Sequence, residues 1–328
     1  TMIAHYLINP EASHKLDVLS ENYLNHKCIP IEELIGKKGP NQKKMIDLSP
    51  DEIYKYACED ADITFRLKNA IQKEIEDLGM YKLLENVEIP LLFVLSELES
   101  NGVKIDTHFL KEMSTELVEK ISKTEQLIYQ CSGEEFNISS PKQLGVILFD
   151  KLKIDNNPKK TKSGQYSTSE AVLNKLPKKN KIVDLILDYR EFKKLLSTYV
   201  DALPQMVSKN DGLIHTDYAQ AVTATGRLSS NKPNLQNIPI KTELGRKTRS
   251  AFIARDSESY ILAADYSQIE LRVIADFSGD NEMIKAFKEE KDIHSLTASK
   301  VFNVDLKDVN KDMRRRAKEV NFGIIYGI

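Results

Sequence analysis

The spacing of apolar residues predicts helices along most of the chain. Between Ser49 and Leu84 apolar side chains recur at helical intervals, and Gly79 closes the pattern as a C-cap glycine does. A longer helix is predicted from Thr107 to Cys131, ended by Gly133. The apolar positions of these two helical blocks are Ile53, Tyr56, Ala57, Ile63, Phe65, Leu67, Ile71, Ile75 and Leu78, then Leu110, Met113, Leu117, Ile121 and Ile128.

Boundary signals continue the helical pattern into the middle of the chain. Ser140 and Pro141 have the residue types of an N-cap and a first helical position. The polar, lysine-rich stretch 156–169 predicts an exposed loop, after which Ser167 and Glu170 have capping-box spacing for a short helix. An amphipathic helix is then predicted from 181 to 203, ending before Pro204.

The pattern changes near residue 205, where a sheet-containing unit is predicted to begin. Residues 213–222 and 259–264 are rich in strand-compatible side chains. Helical signals return after Ser267, where Ser267 and Glu270 again have capping-box spacing. The whole pattern predicts a multi-domain α+β protein: an acidic helical first part, a basic helical middle and a mixed final part.

Composition and length narrow the class of protein. A chain of 328 residues is long for one hydrophobic core. No apolar run is long enough to span a bilayer, so no membrane association is expected. Three widely spaced cysteines fit neither a disulfide framework nor a zinc pattern, which favours the reducing cytoplasm. The chain starts without Met and stops inside an apolar helical pattern, so we expect a piece of a longer protein.

Charge is unevenly distributed along the chain. Residues 1–100 contain 11 Lys or Arg and 18 Asp or Glu, whereas residues 151–209 contain 13 and 6. A basic block of this kind is typical of a surface that faces a polyanion such as nucleic acid. A solvated lysine surface is the alternative, and composition does not choose between them.

Two segments of the last third have residue patterns suited to phosphate chemistry. Asp265 follows the apolar run of YILAADYSQIELR, so a carboxylate is predicted where a buried strand ends, a position that suits Mg²⁺; alternatively it only ends the strand. Arg314, Lys318, Phe322 and Tyr326 are spaced by four on a predicted helix and form one stripe. Its cations suit a polyphosphate and its aromatics a stacked base, although an exposed basic helix with core aromatics has the same spacing.

Two further segments carry weaker signals. The loop TATGRLSSNKPNLQNIP, residues 223–239, is rich in small polar residues that can follow a nucleic-acid backbone or satisfy one another as turns. Tyr56 and Asp60 in YACEDAD share a helix face, where a phenol can orient a water beside a metal-bound carboxylate. A surface pair is the alternative for the second segment.

Together these segments resemble the family A DNA polymerases, the bacterial DNA polymerase I type, over essentially the whole chain. DYSQIELR is similar to motif A, RRRAKEVNFGIIYG to motif B on the O helix, and the 223–239 loop to the segment between thumb and palm. The resemblance implies the end of a ribonuclease H-like 3′→5′ exonuclease domain (1–83), a helical thumb (84–204), the first part of an antiparallel-sheet palm (205–290) and the start of helical fingers (291–328).

The resemblance also implies roles in nucleotide transfer. Asp265 would bind two catalytic Mg²⁺ ions with help from the Tyr266 carbonyl. Arg314, His294 and Lys318 would hold the triphosphate, with Lys318 the proton donor to pyrophosphate. Further residues implied at the nucleotide are Phe322 and Tyr326 at the base, Glu270 as the steric gate against ribose, and Gln268.

Contacts with primer-template DNA are implied by the same resemblance. The implied set is Arg227, Gln236 and Asn237 in the palm, with Arg190, Lys194, Ser197 and Thr198 in the thumb. Leu196 stands where many relatives have Lys, so this sequence departs from the family pattern at one implied phosphate contact. The implied partners are primer-template DNA and dNTPs, and the implied protein is a monomer of the bacterial cytoplasm, associated with the nucleoid.

Proofreading is implied by YACEDAD, which resembles the third exonuclease motif, with Tyr56 positioning water and Asp60 binding metal. The other exonuclease carboxylates are expected before Thr1, and the second palm aspartate is expected after Ile328. Three functions therefore stay open from sequence: a proofreading polymerase in replication and repair, a 3′→5′ nuclease alone, and a DNA-binding fragment. We expect the first for the parent protein and no polymerisation by residues 1–328 alone.

Overall fold

The computed structural model describes residues 1–176, 180–240 and 242–327, except the side chains of residues 325 and 326. The chain divides into two compact units, Thr1–Tyr260 and Ile261–Ile328. The α-helices of the first unit are α1 Met2–Ile8, α2 Leu16–Leu24, α3 Ile31–Ile35, α4 Pro50–Asp77, α5 Tyr81–Leu83, α6 Ile89–Asn101, α7 Thr107–Ser132, α8 Pro141–Gly145, α9 Glu170–Leu173, α10 Lys181–Leu195, α11 Ala202–Gln205 and α12 Glu243–Arg249.

The first unit also contains short strands and non-α helical turns. Strand β1 (Lys104–Ile105) pairs antiparallel with β4 (Phe252–Ile253), and β2 (Asp217–Ala219) pairs antiparallel with β3 (Ser229–Asn231). The π-helical segments are Leu84–Glu88, Val146–Lys151 and Leu196–Val200, and Met45–Asp47 is a 3₁₀ turn. The predicted α+β class is confirmed, with helices predominating.

The two longest helices agree with their apolar patterns. Ser49 and Glu52 form a capping box at the start of α4, and Gly79, with a positive φ, follows its end. Helix α7 begins after the N-cap Asp106 and ends at Gly133. The predicted side of α7 is buried throughout, whereas Phe65 of α4 is 64% exposed because it lies off the face formed by Ile63, Leu67, Ile71 and Ile75.

Three apolar cores stabilise the first unit. Leu19 of α2 packs with Ile63, Leu67 and Ile71 of α4. A second core joins Ile121 and Ile128 of α7 to α8 and to Ile186 of α10. The third core joins Leu110, Met113 and Leu117 at the start of α7 to the segment after α10 and to Ile214. Helix α7 therefore connects two of the cores along its length.

Several predicted boundaries in the first unit are corrected by the structure. Ser140 caps α8 as predicted, but α9 begins after Ser169, so the capping box of Ser167 and Glu170 is wrong. The predicted helix 181–203 ends as an α-helix at Leu195, continues as a π-helix, and Pro204 lies within α11. Only Asp217–Ala219 of the predicted strand 213–222 is a strand, because its partner Ser229–Asn231 is three residues long.

The second unit is helical in its described residues, 261–327. Its helices are α13 Ile269–Ser278, α14 Asn281–Lys288, α15 Ile293–Phe302 and α16 Lys311–Tyr326, with a 3₁₀ turn at Leu306–Asp308. Leu271 of α13, Ala286 of α14 and Ile293 of α15 form its core.

The strand predicted at residues 259–264 is wrong, so Asp265 does not lie at the end of a buried strand. This segment has no regular secondary structure, and Leu262 is 91% exposed. An extended segment becomes a strand only where a neighbour supplies ladder hydrogen bonds, and no described residue pairs with it. The capping box of Ser267 and Glu270 is also wrong, because α13 begins after Gln268, whose φ of 53° is left-handed.

Candidate nucleotide and nucleic-acid sites

Helix α16 places the predicted cation and aromatic stripe on one element. Asn310 caps its start by accepting hydrogen bonds from the backbone N–H groups of Asp312 and Met313. Arg314, Lys318 and Phe322 follow at four-residue intervals, so they lie along one side of the helix. The helix extends to Tyr326, as predicted, but the position of that side chain lies outside the described residues.

Arg314 is oriented by a carboxylate at the start of α15. Its Nε donates to Asp292 Oδ2 over 2.5 Å and its Nη2 donates to Asp292 Oδ1 over 3.3 Å. This is the forked arrangement in which a guanidinium matches a carboxylate. The pairing fixes the guanidinium of α16 at the start of α15.

Asp292 receives several hydrogen bonds besides those of Arg314. As the N-cap of α15 it accepts from His294 N and from the Ser295 hydroxyl, and Gln268 Nε2 donates to it over 3.4 Å. Burial alone would raise the pKa of Asp292, but the hydrogen bonds from Arg314 and Ser295 and the charge of Arg314 outweigh it and hold the pKa at about 2. Asp292 is therefore an ionised anchor for the cation.

His294 is the buried member of this group. Its side chain is almost fully enclosed, its ring centroid lies 5.8 Å from that of Phe322, and its Nδ1 lies 3.1 Å from Asn321 Nδ2. Burial lowers the pKa of His294; the charge of Asp292 opposes this shift, and the charges of Arg314 and Lys318 reinforce it. The enclosure of His294 and the two nearby cations therefore both disfavour protonation of its ring.

Lys318 and Phe322 complete the described part of the stripe. The Lys318 side chain is exposed, and its Nζ lies 5.9 Å from the Phe322 ring centroid. Phe322 is half-buried and lies close to both this ammonium and the His294 ring. The structure therefore brings together four of the residues predicted to bind a nucleotide: His294, Arg314, Lys318 and Phe322.

One residue of motif A, Gln268, contacts this group: its side-chain amide donates to Asp292. Asp265 and Tyr266 are exposed in the segment just before Gln268, and Glu270 is half-buried in the first turn of α13. Their predicted roles at metal and sugar stay predictions. The sequence did not predict that Asp292 and Asn321 belong to this group. A signal was present for Asp292, because an aspartate directly before a helix is a typical N-cap.

The 223–239 loop is folded back by β2 and β3 and satisfies many of its own polar groups. Thr223 Oγ1 donates to the Arg227 carbonyl, and Gln236 Nε2 donates to the Leu228 carbonyl. The Asn237 carbonyl accepts from the Tyr199 hydroxyl. Polar groups of this loop therefore satisfy one another as turns, which was one of the two possibilities left open by the sequence. The side chains of Arg227, Gln236 and Asn237 are nevertheless exposed.

The predicted thumb residues lie at the end of α10 and on the π-helical segment after it. Lys194, Ser197 and Thr198 are exposed, and Ser197 Oγ donates to the Lys193 carbonyl. Arg190 is half-buried and donates to the carbonyl and hydroxyl of Thr168; burial lowers its pKa. Arg190 and Lys194 also line a groove with Pro239, which follows the predicted palm contacts.

Tyr56 and Asp60 lie one turn apart on α4 and line a pocket closed by residues 15–18 and 27–32. Burial raises the pKa of Tyr56, and the charge of Asp60 and a hydrogen bond with it raise it further. Burial raises the pKa of Asp60, against the lowering effect of the Tyr56 hydrogen bond. Tyr56 and Asp60 therefore lie on one helix face, as predicted, in a pocket that Asp17 also lines.

Helix α16 in one unit carries two cations and an aromatic ring along one side, and α4 in the other unit carries a phenol and carboxylate pair that lines a pocket. Residues 107–328 match the family described as DNA polymerase family A, and residues 1–76 match the family described as 3′-5′ exonuclease. The chain belongs to DNA polymerase family A.

Curated relatives and a solved structure agree with this membership. The whole chain is 45% identical to part of the DNA polymerase I of Pseudomonas aeruginosa and 46% identical to part of that of Bacillus subtilis. It covers 36% and 37% of those proteins, so it spans about a third of their length. It also aligns in full, at 34% identity and a TM-score of 0.86, with 54% of the POL domain of Pol1 from M. smegmatis in complex with DNA primer-template and dNTP.

No helix in residues 1–176, 180–240 and 242–327 combines the length and the apolar character needed to cross a membrane. The three cysteines are free thiols, half-buried at Cys28 and exposed at Cys58 and Cys131.

Proposed function

We propose that the protein to which this chain belongs is a DNA-directed DNA polymerase, which adds dNTPs to a primer 3′-hydroxyl in replication and repair. The observation that carries the proposal is the group on α15 and α16, where two cations, a buried histidine and an aromatic ring converge. The membership in DNA polymerase family A supports it, as does the similarity to a structure solved with DNA primer-template and dNTP.

The triphosphate is the ligand that the cations fit best. The pairing with Asp292 uses Nε and Nη2 of Arg314, so Nη1 can donate to a phosphate while Asp292 keeps the side chain in place. Lys318, one turn later and exposed, adds a point charge and a proton donor for the leaving pyrophosphate. Phe322 offers a ring face to the base or sugar, and we assign Tyr326, four residues later in the sequence, to the base as well.

The donors at Asp265 and Tyr266 fit a hard divalent ion. A carboxylate and the adjacent backbone carbonyl are both oxygen ligands, and both residues are exposed. We assign Mg²⁺ to them, two ions in the complete polymerase site. When bound, such ions activate the 3′-hydroxyl and stabilise charge on the transferred phosphoryl group. Glu270 and Gln268, directly after this segment, are assigned to the sugar and to the positioning of Asp292.

Primer-template DNA is the proposed macromolecular partner. Lys194, Ser197 and Thr198 form an exposed polar surface with a positive charge, and Arg190 and Lys194 line one groove with the segment that follows Gln236 and Asn237. Lysine and hydroxyl contacts to phosphates position a duplex without reading its sequence. Arg227 at the exposed turn is assigned to the same partner.

Proofreading is the second activity that an observation favours. Tyr56 and Asp60 share a pocket with Asp17, and a carboxylate beside a phenol suits metal-assisted hydrolysis. The match of residues 1–76 to the 3′-5′ exonuclease family supports this assignment. We assign a divalent metal to Asp60.

The remaining parts of the proposal concern organisation. We divide the chain into exonuclease end (1–83), thumb (84–204), palm (205–290) and the start of the fingers (291–328). The protein is proposed to act as a monomer. We also propose that it acts in the bacterial cytoplasm, on DNA of the nucleoid, because its partner and substrates are found there.

Primer extension by the full-length protein tests the proposed function through Lys318. Lys318→Ala should lower the incorporation rate at least about a hundredfold, since it removes a phosphate ligand and a proton donor. The matched control is Lys311→Ala, which removes an exposed lysine at the first position of the same helix and should leave the rate unchanged. Equal rates for the native protein and Lys318→Ala would overturn the assignment.

A further inference from the structure

A second cluster of ligating side chains lies outside the sites assigned above. A ring nitrogen of His26, Cys28 Sγ and a Glu59 carboxylate oxygen all lie within 4.8 Å of one another, and all three residues are partly buried. His26 and Cys28 come from the segment after α2, and Glu59 lies on α4. We propose that these three side chains form a binding site for a divalent ion of the zinc type.

The donor set selects the class of ion. A thiolate and an imidazole are the ligands of Zn²⁺ and related transition metals, whereas Mg²⁺ takes oxygen ligands only. The site is therefore chemically distinct from the oxygen ligands assigned at Asp265 and Asp60. Three protein ligands leave one position of a tetrahedral ion for water.

The surrounding structure already holds two of the three ligands. Glu59 Oε1 lies 2.8 Å from His26 Nε2, and the second carboxylate oxygen of Glu59 accepts from Ile29 N over 2.6 Å. The His26 backbone is fixed by Ser20, whose hydroxyl donates to the His26 carbonyl. Such supporting contacts orient metal ligands in proteins.

Binding requires only local movement. Bonds of about 2.0 to 2.3 Å in a tetrahedron put ligand atoms about 3.3 to 3.8 Å apart. The three ligand atoms already lie within 4.8 Å of one another, and the His26 and Glu59 atoms, now 2.8 Å apart, move slightly apart. The ion takes the place of the proton between His26 and Glu59, and this proton and that of the Cys28 thiol are both released to solvent. Because Cys28 also lines the pocket of Tyr56 and Asp60, a bound ion fixes one wall of that pocket.

Cobalt absorption on the intact chain tests the site, because a Co²⁺ ion bound to a thiolate gives a near-ultraviolet charge-transfer band that oxygen ligands do not give. One equivalent of Co²⁺ should produce the band, and Zn²⁺ should remove it. Cys28→Ser should abolish it, and Cys58→Ser, which changes the exposed thiol next to Glu59, should leave it intact. Absence of the band, or its persistence in Cys28→Ser, overturns the proposal.

A second measurement needs no substitution and so does not depend on a variant folding. Zn²⁺ should slow alkylation of Cys28 at least about tenfold, since a metal-bound thiolate is a poor nucleophile, while Cys58 and Cys131 react at unchanged rates and Mg²⁺ protects none. Uniform slowing of all three thiols, or no slowing at Cys28, would contradict the site.

Discussion

Arg314 on α16 and Asp292 at the start of α15 form a forked ion pair across 22 residues of chain. The same carboxylate caps α15 and receives the amide of Gln268. The cation assigned to the triphosphate is therefore aligned before any ligand arrives, and the alignment involves a residue of motif A.

Replacing Asp292 should destabilise the second unit more than loss of an ordinary cap. Asp292→Ala removes a cap worth about 1 kcal/mol and a half-exposed ion pair worth up to about 1 kcal/mol. We expect the opening free energy of the α15 amides, measured by native-state hydrogen exchange, to fall by about 2 kcal/mol. Asp280→Ala removes only the cap of α14, so it should lower the opening free energy of the α14 amides by about 1 kcal/mol. If Asp292→Ala and Asp280→Ala lowered the opening free energies of their helices equally, the ion pair with Arg314 would contribute no stability.

The pKa of His294 should lie below 6.5 and rise when a neighbouring positive charge is removed. Burial and the charges of Arg314 and Lys318 lower it, so Lys318→Met should move it upward. Because the folded pKa is lowered, the stability contributed by the neutral ring is complete above pH 6.5 and is lost as pH falls towards the folded pKa.

The pH titration of imidazole NMR signals measures this shift directly. A His294 pKa at or above 6.5, or one insensitive to Lys318→Met, would show that the ring is not enclosed beside these cations.

Glu270 should set sugar selectivity in the full-length polymerase. Its half-buried side chain in the first turn of α13 is assigned to the space that a 2′-hydroxyl requires. Glu270→Ala should raise ribonucleotide incorporation relative to deoxyribonucleotide incorporation by at least about tenfold, the scale of a small steric change in a pocket. Competing primer extension with both nucleotides measures the ratio, and an unchanged ratio rules out the steric role.

Asp60 should be needed for 3′-end degradation but not for synthesis. In the full-length protein, Asp60→Asn should lower hydrolysis of single-stranded DNA at least about a hundredfold, because a metal ligand is lost. Asp62→Asn, two residues later and exposed, should leave hydrolysis unchanged. Degradation by Asp60→Asn at the native rate would remove this residue from the nuclease assignment.

Sequence alone predicted the parts of the fold that depend on local patterns. Helix α7 agrees with its predicted extent to within a residue, α4 begins directly after Ser49, where the predicted pattern starts, and α16 contains the four stripe positions, because amphipathic spacing and caps such as Ser49 and Gly133 lie within the helices or next to them. The stripe of Arg314, Lys318 and Phe322 follows directly from such a helix.

The features that sequence missed depend on partners distant in the chain. Residues 259–264 have strand propensity but no ladder partner among the described residues, so the strand predicted from their propensity does not form. Asp292 gains its role from Arg314, and the cluster of Cys28 and Glu59 spans two elements. Spacing along the sequence gives no signal for contacts of this kind.

The central claim, that nucleotide transfer depends on the carboxylate of Asp265, is tested most directly by the Mg²⁺-dependent single-turnover incorporation rate of the full-length protein. Asp265→Asn should lower this rate at least about a thousandfold, because a neutral amide is a poor Mg²⁺ ligand. Asp276→Asn, an exposed aspartate on α13, should retain the native rate. Incorporation by Asp265→Asn within a fewfold of the native rate, at the same Mg²⁺ concentration, would contradict the account.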